Sequence, residues 1–131
     1  MVSLLLGRPP QGDFDVVVRT GDGRPVVIRN APLLADGTPM PTRYWLVDEE
    51  LRRAVSTLEA GGGVRAAEAE VDPAEVAAAH ARYAAERDAA RGAGAGVAGT
   101  RTGVKCLHAH YAWYLAGGDD PIGRWVEEHL R

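Results

Sequence analysis

The chain has 131 residues, enough for one domain of ordinary size to bury its own core without staples. Its formal net charge is −3, and no Lys/Arg cluster stands out, which argues against a nucleic-acid surface. A single cysteine, Cys106, excludes an intrachain disulfide and suits a reducing compartment.

The opening "MVSLLLGRPP" lacks a basic n-region and is stopped by Pro9-Pro10, too short for a signal peptide or a membrane span. We therefore expect a cytoplasmic protein with no membrane segment and no nucleic-acid partner. "FDVVVRT" and "RPVVIRN" are β-branched runs separated by Gly21-Asp22-Gly23, a hairpin signal. A third run, "RYWLV", is aromatic and alternating. Between them "NAPLLADGTPMPT" holds three prolines and an Asp36-Gly37 turn, which forbid regular structure.

The remainder predicts about four helices. Asp48 caps the first, whose Leu51, Ala54, Val55 and Leu58 form an apolar stripe ended by Gly61-Gly62-Gly63. Asp72-Pro73-Ala74-Glu75 starts the second, which runs to about Arg91 before "GAGAGVAG". The third begins near Gly103. The fourth follows Asp120-Pro121 and buries Ile122, Trp125, Val126 and Leu130. Strands first and helices after describe an α+β domain: a small N-terminal antiparallel sheet of about three strands, with the helices packed on it. Residues 1–131 are expected to form one domain, mainly strands and loops over 1–47 and mainly helical over 48–131, with a flexible Gly/Ala joint near 92–99.

Two helix faces carry residues suited to chemistry. On the second helix Val76, His80, Tyr83 and Arg87 share one face, placing an imidazole, a phenol and a guanidinium where an apolar stripe belongs. That set suits an anion pocket. On the third helix Val104, Leu107, His108, Tyr111 and Leu115 fall on one stripe, and Cys106, His110 and Trp113 on the opposite side. Cys106 and His108 stand at i, i+2, so a regular helix points them apart and they cannot share an ion. Cys106 with His110, at i, i+4, could share one, but a zinc site needs further ligands and the sequence offers few, so no metal site is expected, and no cofactor. Lys105 and Cys106 in the first turn of this helix would lie where amides and the macrodipole favour a thiolate or a bound anion.

The segments "LGRPPQG", "DGTPMPTRYWL", "AHARYAAER", "GVKCLH" and "LAGGDDPIG" together resemble the bacterial, largely actinobacterial, domain-of-unknown-function family numbered 501, in order and over nearly the whole chain. The resemblance singles out His80, Tyr83, Glu86 and Arg87, then Lys105, Cys106 and His108, and Asp36 to Thr42. Thr20 and Trp113 stand where members of the family carry a cysteine and a second histidine, so a metal site using either is not available here. Genes of the family often neighbour those of a septum-formation-initiator-like protein and an exopolyphosphatase-like enzyme, which implies a link to division or phosphate metabolism.

The resulting expectation is a polar pocket between the second and third helices for a small anionic ligand, phosphorylated compounds among them. Arg87 and Lys105 would hold the anion and Tyr83 would donate a hydrogen bond. His80 or His108 would act as acid or base, Cys106 as nucleophile, and the loop bearing Asp36, Thr38 and Thr42 would close over them. The alternative is a non-enzymatic interaction protein of the division or envelope machinery, with these polar residues in a structural network.

Overall fold

The computed structural model describes residues 14–30, 43–89 and 103–130, with side chains in the middle stretch as far as residue 86. Three strands come first: β1 (Phe14–Arg19), β2 (Pro25–Asn30) and β3 (Tyr44–Leu46), antiparallel in the order β1-β2-β3. The β1–β2 turn closes through Gly23 at φ +91°, a conformation that disfavours any side chain. Val27 pairs with Leu46 and Ile28 with Trp45, and these two neighbours serve opposite faces of the sheet. Val26, Val27, Tyr44 and Leu46 enter the main core, while Ile28 and Val47 form a second small cluster with Val16 and Trp45.

Five helices follow among the described residues: α1 (Glu49–Ala60), α2 (Gly63–Glu70), α3 (Pro73–Ala89), α4 (Leu107–Leu115) and α5 (Pro121–His129). The α+β class and the three-stranded sheet are as expected from the sequence; the helix count is one higher. The additional helix is α2. Gly62, in the left-handed region at φ +88°, turns the chain at the glycine triplet, and the Ala/Glu-rich "GVRAAEAE" then resumes helix instead of loop. Gly63 permits the tight turn because a Cβ there would meet the Leu58 carbonyl oxygen at 2.5 Å.

Local caps explain the other starts. Asp48 accepts the Leu51 N–H at 3.0 Å to begin α1, and Asp72 accepts the Ala74 N–H at 2.9 Å ahead of α3. Asp120 accepts the Ile122 N–H at 2.9 Å with Pro121 in the first turn of α5. Burying Ile122, Trp125 and Val126 then stabilises α5 by about 1.5–3 kcal/mol per fully buried side chain.

α4 is the central element, in contact with β3, α1 and α5. Leu107, Ala109, His110, Tyr111, Ala112 and Trp113 are all buried, so the helix is covered nearly all round. The two opposed stripes expected from the sequence therefore do not separate a core face from a solvent face. Gly123 of α5 gives α4 its close approach, since a Cβ there would overlap Tyr114 and lie 2.9 Å from the His110 carbonyl oxygen. No helix among the described residues is long and apolar enough to cross a membrane. The Gly/Ala joint near 92–99 lies outside the described residues.

Candidate functional site

The third predicted helix begins at Leu107 and not near Gly103, and this moves two candidate residues. Cys106 is the N-cap, with extended backbone (φ −151°, ψ 122°), and Lys105 precedes the helix with an exposed side chain. Neither lies in the first turn. Because Cys106 is outside the helix, the i, i+2 rule does not govern it. Its Sγ instead comes to 3.8 Å from Nδ1 of His108. The expected divergence of Cys106 and His108 is thus corrected: one extended residue swings the thiol onto the side of the helix that carries the imidazole.

α1 completes the cluster. Arg52, Ser56 and Glu59 fall at i, i+4 and i+7, one ridge beside the apolar stripe. Glu59 Oε1 lies 3.1 Å from His108 Nδ1, and its Oε2 accepts the Leu107 backbone N–H at 2.8 Å. His108 Nε2 lies 3.2 Å from the Arg52 carbonyl oxygen and 3.1 Å from Ser56 Oγ. A carbonyl only accepts, so Nε2 carries a proton and donates it to Arg52. In the neutral ring, Nδ1 is then the bare nitrogen, and it faces Sγ and the Glu59 carboxylate. The hydrogen bond with Cys106 raises the His108 pKa above the ordinary histidine range; Glu59 and the Arg52 carbonyl add to this against the opposing effect of burial. Sequence reasoning missed Glu59, Ser56 and Arg52. Their only sequence signal is the polar ridge, which becomes meaningful once α1 is known to pack on α4.

The other histidines and the phenol lie in different contacts. His80, 2 % exposed, donates from Nε2 to the Gly103 carbonyl at 2.7 Å, since a carbonyl only accepts. That bond pins the turn three residues ahead of Cys106, where Gly103 takes φ +67°. The His80 ring also packs edge-on to His110, with centroids 5.4 Å apart. His110, read from the sequence as lying opposite the His108 stripe, pairs through Nδ1 with Asp120 Oδ2 at 2.6 Å, both side chains fully buried. Burial lowers the His80 pKa, with His110 acting in the same direction and the Gly103 bond and Asp120 opposing.

Tyr83 is buried between Tyr44 and Trp113, edge-on to both rings, and its hydroxyl accepts the Arg43 backbone N–H at 2.6 Å. Glu86, one turn on, accepts from Tyr44 Oη at 2.7 Å and pairs with Arg43 at 3.3 Å. Burial first, and then the bond to Glu86, push the Tyr44 phenol up to about 12. Of the residues singled out in the sequence, the fold brings together Cys106 and His108, and holds His80 and Tyr83 in separate anchoring contacts. Arg87 belongs to α3, but its side chain lies outside the described residues, as do Asp36, Thr38 and Thr42.

The family model described as "Protein of unknown function (DUF501)" matches residues 16–93 and 77–128 of the chain. No curated protein and no solved structure matches it.

Proposed function

The chain belongs to the DUF501 family, and we propose that the chemistry of this member resides in the Cys106–His108–Glu59 centre, with Cys106 as nucleophile toward a small anionic substrate. The observation that carries the reading is the 3.8 Å approach of Sγ to a His108 ring whose other nitrogen is anchored on the Arg52 carbonyl. Nucleophile, base and orienting group then stand in sequence, the arrangement that activated thiols require. The proton of Sγ passes to Nδ1. The resulting imidazolium lies between the thiolate and the Glu59 carboxylate, which balances its charge. As the sulfur–substrate bond forms and the leaving group departs, His108 returns that proton to the leaving group.

In this reading His80 and Tyr83 are positioning residues: His80 holds the Gly103 turn that presents Cys106, and Tyr83 ties α3 to β3 and α4. Lys105, exposed and adjacent in the chain, supplies positive charge near an anionic substrate, with Arg87 and the loop of Asp36, Thr38 and Thr42 as the further ligand-binding candidates. The setting proposed is cytoplasmic, where a lone thiol stays reduced. The second reading, an interaction protein of the division or envelope machinery, draws support from the internal bonds that already engage His80 and Tyr83.

The test is the alkylation rate of Cys106 by iodoacetamide in the full, reduced, metal-stripped chain at one neutral pH. The native thiol should react at least ~10-fold faster than the urea-unfolded chain, and His108→Asn should remove that excess; a positioned base contributes ~100-fold or more. Equal rates in the native, unfolded and His108→Asn proteins would leave the interaction reading in its place.

A further inference from the structure

The donor atoms of Glu59, Cys106 and His108 all lie within 4.8 Å of one another. Three ligands on a tetrahedral zinc, at the usual bond lengths of about 2.3 Å to sulfur and about 2.0–2.2 Å to nitrogen and oxygen, stand about 3.3–3.6 Å apart. The observed separations, 3.8 Å for Sγ to Nδ1 and 3.1 Å for Nδ1 to Oε1, bracket that range. Adjustments of a few tenths of an ångström would bring these two separations into that range.

The surroundings favour the same conclusion. A ligating histidine generally donates its second ring N–H to a carbonyl or carboxylate, which fixes the tautomer and aims the lone pair. His108 does this with the Arg52 carbonyl, leaving Nδ1 directed at the cluster. A ligating carboxylate is generally held through its other oxygen, and Glu59 Oε2 is held by the Leu107 amide. A thiolate and a carboxylate supply two negative charges, which cancel those of a divalent ion, and a thiolate–imidazole–carboxylate set suits zinc over the oxygen-seeking magnesium or calcium. The side chains of His108 and Glu59 are 25 % and 26 % exposed, so solvent reaches the centre on a side the protein does not fill.

We propose that Glu59, Cys106 and His108 form a zinc site with three protein ligands and an open fourth position. This site does not need a ligand at Thr20 or Trp113, and it replaces the sequence-based expectation of no metal, which rested on a helical Cys106 and on too few ligands in the sequence. Binding displaces the proton carried by Sγ, while Nδ1 of the neutral ring offers its lone pair. It rests on the same three residues as the thiol reading above but is a separate occupancy of the same atoms, because a zinc-bound thiolate is not free to attack.

Cobalt titration of the reduced, metal-stripped full chain provides the test, followed by zinc competition. The expected result is a thiolate-to-cobalt charge-transfer band that saturates at one ion per chain and is removed by zinc. Cys106→Ser should abolish the band, while Glu59→Gln and His108→Asn should each weaken binding at least ~10-fold. His129→Asn, on the exposed end of α5, should change nothing. If Glu59→Gln does not fold, Glu59→Asp, which withdraws the carboxylate, takes its place. Absence of the band, or a band of undiminished affinity in the Glu59 and His108 variants, would overturn the proposal. Because alkylation is read on stripped protein, a saturating cobalt band with an ordinary thiol rate sinks the nucleophile and keeps the metal; the reverse pair does the opposite.

Discussion

Glu59, in the last turn of α1, accepts the backbone N–H of Leu107, the first residue of α4, at 2.8 Å. Cys106 makes no side-chain capping bond, so the carboxylate of a different helix fills that role. The helix terminus where the sequence suggested a bound anion thus already holds one, supplied by the protein itself.

Glu59→Ala should therefore lower stability by about 0.5–2 kcal/mol, the cost of losing an N-terminal cap. Glu59→Gln, which keeps an acceptor for the Leu107 amide, should lose less. Urea unfolding of the three proteins checks the order. Identical midpoints for all three would mean that the contact caps nothing.

Asp120 serves two groups at once, the Ile122 amide and the buried His110 ring. Asp120→Ala strands the imidazole N–H in a fully buried site and removes a cap, so a loss of about 3–5 kcal/mol is expected. Asp120→Asn keeps an acceptor for the cap and should lie between the two. A drop under about 1 kcal/mol in Asp120→Ala, read by denaturant melts, would show that His110 finds another partner.

His80 sets a pH dependence. Its folded pKa lies below the ordinary 6.5, so the unfolded chain binds more protons than the native one in that window. Stability contributed by neutral His80 is present above 6.5 and is lost as pH falls through the folded pKa. The groups facing it include the Gly103 carbonyl, the His110 ring and, beyond that ring, Asp120. His80→Gln, which can still donate to Gly103, should flatten the decline in melting temperature between pH 6.5 and the onset of carboxylate titration. Parallel profiles for the two proteins would remove His80 as the source.

Much of the architecture was legible in the chain because it follows local rules. The Gly21-Asp22-Gly23 turn, the β-branched runs of β1 and β2, and the capping aspartates Asp48, Asp72 and Asp120 each act within a few residues, and the structure places the elements there. α2 escaped because a glycine triplet looks like a terminator, and only packing against α1 and α5 rewards its Ala-rich continuation.

The candidate centre was half legible. The chain alone named two of the three candidate residues, Cys106 and His108, since a lone thiol and an imidazole two positions apart can be read directly. The start of that helix, and with it the direction of the thiol, was decided by tertiary structure. Leu107 takes its cap from a carboxylate 48 residues earlier, and His80 pins Gly103 from 23 residues earlier. Helical periodicity fixes side-chain directions only between residues already inside a helix. Where a helix begins depends on which partner satisfies its first amides, and here that partner arrives from across the core.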